Sequence, residues 1–577
     1  MLALLAILTV TAAGPLGVLC AGPRVDISGL GAVVGETVHF QRNTYPILDT
    51  YVDVYRGIPF AEPPERFAKP QPKKPWSGDL DATKFGTQCP QPLVSTNTGE
   101  DCLNMNIWVP NPKPTKAAVM LFIHGGAFLV GSGSEETYNG ISLAAYRDVI
   151  VVTFNYRLGV FGFLSTGDGE LPGNNGMWDQ LEALKWVKEH IADFGGDSNR
   201  ITIFGESAGG VSVSLMTLAK QSWGYYDRAI MQSGTATAPW GVLDPTKARD
   251  DAFGLGRNAL CFAFGSSSSL VSCLKTKTTD EIMSAATPIL LAALFTKNNL
   301  IPFVPTIDGE FLTKDPAELF RLGEFKSSDV LLGTQRDEGA MIALKAFLPA
   351  SLGSDPVISK DQFDGSLSSY VFMEHDQSML DVISAYYTDS TQSNYLRPFS
   401  RLTTDEGFTC PTDTVVKAFA AANSNTYLYQ MTHVSSFHFV PLPTWADIVP
   451  HADDLVYVFG STFMSGLERP VLLTAEEVDI SVDMMRYWTN FAKTGNPNLE
   501  SLNHVETPDA KTWHKFNTQT MYYKDLSPSM VDRQNLLKDE CDLWNVQLPN
   551  MAPSRHASRH AGVVSSDLLS FLMIGHN

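Results

Sequence analysis

Ser207 stands in Gly205-Glu206-Ser207-Ala208-Gly209, after the apolar run Ile201 to Phe204 and before Ala208 to Leu218, a proline-free segment that favours helix. The pentapeptide G-x-S-x-G also occurs in ordinary turns; a strand before it and a helix after it set this one apart. The order strand, tight turn, helix holds a serine in strained backbone between small residues, with its hydroxyl clear of both elements. The helix N-terminus behind it offers free N–H groups where a negative oxygen forms. That is the chemistry of an acyl-transfer nucleophile. A serine hydroxyl is a poor nucleophile until a base takes its proton, so a histidine and an acid that orients it must be found elsewhere. The chain has 12 histidines. Where the partners follow the serine as acid and then histidine, the acid belongs at a strand end and the histidine in a later loop. Glu338 before Gly339 and His451 after Pro450 fit, but these rules do not separate Glu338 from Asp337, or His451 from His433 and His438.

Several elements must position these residues. Ala118 to Ile123 is a continuous apolar run suited to a buried central strand, and it stops at His124-Gly125-Gly126-Ala127-Phe128. Glycines at such a strand end let backbone N–H groups turn toward an open crevice, where donors stabilise a tetrahedral oxyanion. Tyr51 to Phe60, Glu100 to Trp108, Val149 to Tyr156, Arg228 to Ser233, Val330 to Gly333 and Thr426 to Gln430 read as further strands, and Asp179 to Ile191 as an amphipathic helix. Strands alternating with helices predict an α/β fold with a mostly parallel sheet covered on both faces. The stretch from Leu243 to Phe303 reads as helical insertions above that sheet, because no linker-like composition separates it.

The chain has 577 residues, 44% hydrophobic and 18% charged, which suits a globular protein with a large core. A net charge of −20 leaves no basic face for phosphate, so nucleic acid is not an expected partner. Leu2 to Ala12 reads as the apolar part of a secretory signal peptide, with cleavage after Ala13 or near Ala21. No later run has the length of a membrane helix. Beyond Cys20 the cysteines are Cys89, Cys102, Cys261, Cys273, Cys410 and Cys541. An even number after a signal peptide favours disulfides, and no C-x-x-C or His-rich cluster suggests a metal, so neither metal nor cofactor is expected. The close pairs invite Cys89–Cys102 and Cys261–Cys273, leaving Cys410–Cys541, although spacing alone does not fix connectivity. No N-x-[ST] sequon is present. One domain is expected over residues 22–550, with residues 551–577 as a loosely ordered tail that repeats Ser554-Arg555-His556-Ala557 as Ser558-Arg559-His560-Ala561.

Longer motifs narrow the choice: EDCLNMNIW from Glu100, VVTFNYRLGVFGFLSTGD from Val151, FGGDSNRITIFGESAGG from Phe194, FVPTIDGEF from Phe303, GTQRDEG from Gly333, HADDLVYVFG from His451 and YWTNFAKTGNPN from Tyr487. Through them the chain resembles the type-B carboxylesterase family, which includes the cholinesterases and bile-salt-activated lipase. The resemblance implies an α/β-hydrolase fold and a serine esterase with Ser207 as nucleophile, Glu338 as orienting acid and His451 as base. It implies oxyanion donors at the N–H groups of Gly126, Ala127 and Ala208, supports the three disulfide pairings, and maps family ion pairs to Arg56–Glu100 and Arg157–Asp179. Two departures bear on the substrate. Cholinesterases carry a tryptophan between the first two cysteines that stacks on a quaternary ammonium, and Gln91 to Gly99 has no aromatic residue. Where acetylcholinesterases set bulky phenylalanines against the acyl group, this chain has Asn299 and Ile301. A small-molecule or lipid ester with a longer acyl chain is therefore expected rather than acetylcholine. Some cholinesterase-like proteins are instead adhesion molecules that have lost the serine and carry a span; this chain keeps all three catalytic positions.

Overall fold

The computed structural model describes residues 22–92, 96–295, 301–347, 357–370, 372, 375–438, 447–464, 470–500 and 511–551. The expected signal peptide and all but the first residue of the expected tail lie outside them. Met551 itself closes a short helix, Leu548–Met551.

Among the described residues, fourteen strands follow one another: β1 Arg24–Ile27, β2 Gly31–Val34, β3 Glu36–Arg42, β4 Leu48–Pro59, β5 Asp79–Asp81, β6 Asn104–Asn111, β7 Ala117–Ile123, β8 Ile150–Phe154, β9 Gly196–Glu206, β10 Arg228–Gln232, β11 Asp329–Gln335, β12 Thr426–Met431, β13 Tyr522–Leu526 and β14 Asp532–Gln534. β1, β2 and β5 make a small sheet; the others form one 11-stranded sheet in the order β14-β13-β12-β11-β10-β9-β7-β8-β6-β4-β3. Pairing is parallel from β8 to β13 and antiparallel at both edges. Central strands buried on both faces read as unbroken apolar runs. In β7 the alternation is still visible in the packing: Val119, Leu121 and Ile123 enter one core, Ala118, Met120 and Phe122 the other. The helix Asn175–His190 covers the first face through Met177, Leu181, Leu184 and Val187. The helix Ala475–Thr494, started by a Thr474–Glu477 capping box, covers the second through Met484, Trp488 and Phe491.

Two element starts differ from the sequence reading by four residues. The helix expected from Asp179 begins at Asn175, because Asn174 takes a left-handed conformation and its amide exchanges two hydrogen bonds with the Thr306 backbone, at 2.8 and 2.9 Å. The strand expected from Glu100 begins at Asn104, after the Cys102 disulfide. The insertion between Leu243 and Phe303 carries the helices Pro245–Asn258, Ser267–Lys275 and Thr279–Phe295. Disulfides join Cys89 to Cys102, Cys261 to Cys273 and Cys410 to Cys541.

Of the two expected ion pairs, one needs correction. Arg56, within β4, reaches Glu36 at 2.5 Å, and Glu100 is held instead by Arg66. Arg66 lies past the end of β4, in the arm that also brings its guanidinium to the Leu274 carbonyl at 3.2 Å. Arg157 and Asp179 do meet, buried and bidentate, at 2.7 and 2.6 Å. Removing one partner of such a pair strands a charge in the core. Arg157→Met is therefore expected to lower unfolding free energy by about 3–5 kcal/mol, measured from the urea midpoint, with Arg157→Met/Asp179→Leu recovering most of the loss. A single variant as stable as the parent would disprove this.

Candidate active site

β9 ends at Glu206, and Ala208 opens the helix Ala208–Leu218, so Ser207 alone makes the turn, at φ 58° and ψ −124°. A non-glycine residue at such φ is strained, and its neighbours must leave room. A Cβ on Gly205 would sit 2.5 Å from the Gly209 carbonyl carbon, and one on Gly209 would overlap the Ile123 carbonyl at the end of β7. The two glycines thus allow the turn itself and its seating against the neighbouring strand.

That neighbouring strand continues into His124-Gly125-Gly126-Ala127-Phe128. Gly126, Ala127 and Phe128 take φ of 105°, 57° and 61°, three successive residues outside ordinary extended or helical backbone. A Cβ on Gly125 would lie 3.1 Å from Ser207 Cβ, so this loop packs directly on the serine turn. His124 anchors it: the buried ring stacks on Tyr156 at 4.4 Å, its Nδ1 is 2.8 Å from the Gly125 carbonyl, and the Tyr156 hydroxyl donates to the His124 carbonyl at 2.9 Å. Burial depresses the His124 pKa to about 4, so the ring is neutral at physiological pH. Among the described residues, no acceptor takes the N–H groups of Gly126, Ala127 or Ala208.

The acid and base alternatives separate cleanly. Glu338 follows the end of β11 and is buried; its Oε1 accepts the Gln335 N–H at 2.7 Å, and its Oε2 lies 2.5 Å from His451 Nδ1. Asp337 points elsewhere, to Arg336 at 2.8 Å and the Val449 N–H at 2.9 Å. Its own N–H donates to the Val449 carbonyl at 3.0 Å, so Asp337 clamps the loop that carries His451. His433 faces Glu477 at 3.2 Å, and His438 faces Asp453 at 2.6 Å. Phe408 closes over the His451 ring, with centroids 5.1 Å apart. Phe408 packs in turn on Trp240, whose indole N–H donates to the Gly407 carbonyl at 2.9 Å.

The other nitrogen of His451, Nε2, lies 3.1 Å from Oε1 of Glu206, the residue before the serine. The two are not aligned as a hydrogen bond. The Ser207 hydroxyl has no hydrogen-bond partner among the described residues, so His451 approaches the serine turn through its neighbour. The sequence does not single out Glu206, although it stands inside the pentapeptide. Nor does it single out Asp454, whose Oδ2 accepts from Gln232 at 2.9 Å and Tyr429 at 3.1 Å, while Gln232 accepts from the Trp488 indole at 3.0 Å. Burial pushes Asp454 up to about 6. Burial also raises Glu206, against the pull of His451. For His451 burial acts downward, but Glu206, Glu338 and the hydrogen bond to Glu338 outweigh it and lift the imidazole above its ordinary range.

The pattern of the carboxylesterase family matches residues 21–544. The chain is 35% identical to the acetylcholinesterase of Bungarus fasciatus over 531 residues, covering 88% of this chain and 84% of that protein. It is 34% identical to the cholinesterase of Mus musculus over 529 residues, covering 88% and 85%. With its mostly parallel sheet and serine turn, the chain belongs to the carboxylesterase family and is a carboxylic ester hydrolase of the α/β-hydrolase fold.

Proposed function

We propose that Ser207, His451 and Glu338 form the catalytic triad, and that the N–H groups of Gly126, Ala127 and Ala208 form the oxyanion hole. The observation that carries this is the 2.5 Å approach of Glu338 Oε2 to His451 Nδ1, with Nε2 3.1 Å from Glu206, the residue before the serine. A carboxylate there keeps the proton on Nδ1 and leaves Nε2 as the acceptor. His451 takes the proton of Ser207 as Oγ attacks the ester carbonyl, and the oxyanion is met by the three N–H groups. The alcohol leaves with the proton from His451, and water repeats the sequence on the acyl-enzyme.

The pH dependence follows from the same acids. A protonated His451 cannot act as base, so raising its pKa extends the inactive form toward higher pH. Neutralising Glu206 removes part of what favours the imidazolium. Glu206→Gln is expected to move the acid limb of kcat/KM downward by about one pH unit, read from rates with p-nitrophenyl butyrate. A limb that stays put or moves upward would rule out this role.

The substrate in this reading is a medium or long acyl ester, or a lipid ester, rather than acetylcholine. Residues 90–101, between the first two cysteines, contain no aromatic side chain. Gln91 is buried and occupied: it accepts the Gly131 N–H at 2.8 Å and donates to the Gly131 carbonyl at 3.0 Å. A cation would therefore lack the ring face that cation–π recognition needs there. Ile301, on the acyl side, is partly buried, and Asn299 lies outside the described residues. Choline esters are the second reading, favoured by the names of the relatives. A rate panel over acetylthiocholine, p-nitrophenyl esters of rising chain length and emulsified triglyceride separates the two. Poor acetylthiocholine turnover is expected; saturating rates with it at the expense of uncharged esters would decide for choline esters. The protein is also secreted in this reading, supported by the apolar N-terminal run and three disulfides. Recovery of the expressed protein only inside cells would overturn that.

A further inference from the structure

Between the helices Pro245–Asn258 and Ser267–Lys275, the chain crosses a short tip, Leu260-Cys261-Phe262-Ala263-Phe264. Its side chains alternate. Cys261 and Ala263 are buried, whereas Leu260, Phe262 and Phe264 are 69%, 65% and 100% exposed. The outward set is held there by construction. Cys261 is bonded to Cys273, its N–H donates to the Gly256 carbonyl at 2.8 Å, and the Ser266 N–H donates to the Ala263 carbonyl at 2.9 Å. Leu260 and Phe264 sit at φ of 58° and 46°, a conformation that bulky side chains disfavour. Backbone strain that keeps large apolar groups in water has no folding advantage and points to a use.

Charge indicates which use. The protein carries −20 overall, yet residues 252–279 contain Arg257, Lys275 and Lys277, and two acids that reach them from elsewhere, Asp168 at Ser267 and Glu65 at Lys275, are each paired with a cation. Arg257 is exposed; Lys275 meets Glu65 at the surface at 3.1 Å. A tip of five residues falls far short of the roughly 800 Å² per partner that a stable protein interface buries. A fluid lipid surface takes a protruding apolar knob without any matching shape and favours cations beside it. We propose that this tip is an interfacial anchor that inserts Leu260, Phe262 and Phe264 into an anionic lipid surface, with Arg257, Lys275 and Lys277 flanking it.

The test is co-sedimentation of the full chain with phosphatidylcholine vesicles, with and without phosphatidylserine. Because it reads partition rather than hydrolysis, it can be run on Ser207→Ala and fails or succeeds independently of the catalytic reading. Binding to the anionic vesicles that weakens with salt is expected. Phe262→Ser/Phe264→Ser should lower it at least about tenfold, with hydrolysis of soluble p-nitrophenyl butyrate unchanged. Arg257→Gln/Lys277→Gln should lower the preference for anionic vesicles about tenfold. If the double phenylalanine variant loses esterase activity, and so its fold, Phe264→Trp decides: its emission should be quenched by brominated lipid, and unquenched emission would overturn the proposal. So would a parent protein that stays in the supernatant, or variants that partition like the parent. Self-association abolished by the phenylalanine changes, without vesicle binding, would assign the tip to a second copy of the chain and equally reject a lipid anchor.

Discussion

Ser207→Ala is expected to lower kcat for p-nitrophenyl butyrate by about 10⁶-fold and to abolish labelling by an organophosphate. The size of the loss follows from what remains. With the hydroxyl gone, no covalent intermediate forms and His451 has nothing to deprotonate but water. The proposed oxyanion donors, the N–H groups of Gly126, Ala127 and Ala208, are untouched by the change, so a residual acceleration of roughly 10³–10⁴-fold over the uncatalysed reaction is expected. The change removes a single oxygen at a residue already strained by its φ of 58°, so the fold should survive, which near-ultraviolet circular dichroism can check. Phosphonylation at a different serine, or activity within tenfold of the parent, would move the nucleophile elsewhere.

Glu338→Gln is expected to cost roughly 10⁴-fold in kcat, as an amide in place of the orienting acid does in another serine hydrolase. The reasoning is about a tautomer. The Gln side chain can keep the Gln335 N–H bond through its oxygen and present its NH₂ to His451 Nδ1. Nδ1 must then accept, which moves the proton to Nε2 and removes the lone pair that should receive the Ser207 proton. The same amide also withdraws one of the carboxylates that raise His451, so a pH profile and kcat are read together. Asp337→Asn serves as the contrast, since Asp337 touches Arg336 and Val449 and not the imidazole. An equal loss at both positions would mean that the loop clamp matters and the tautomer does not.

The serine turn was legible in the sequence because its causes are local. A strand, two glycines around a strained residue and a helix N-terminus occupy consecutive positions, and each imposes its own residue types. The unbroken apolar runs at Ala118 to Ile123 and Val149 to Tyr156 were legible for a similar reason, since a strand covered on both faces has no polar side to show. The edges were not. β3 alternates inward and outward positions, but of its inward residues only Val38 and Phe40 are apolar, and β14 has only three residues, so neither shows a strong hydrophobic period in sequence. The ion-pair error has the same origin: whether Glu100 meets Arg56 or Arg66 depends on where the arm after β4 runs.

Residue types and their order along the chain therefore specified a strained serine turn, a glycine-rich loop at a strand end and a short set of acids and histidines, because those demands act over a few bonds or within one strand. The family resemblance named Glu338 and His451, but that the two side chains meet, that Asp337 turns to Val449 and that Glu206 approaches the imidazole is decided by packing β9, β11 and the loop after β12 side by side. Residues more than a hundred positions apart meet there, and the energy that brings them together is the burial of two cores spread over the whole sheet, which no local run of sequence records.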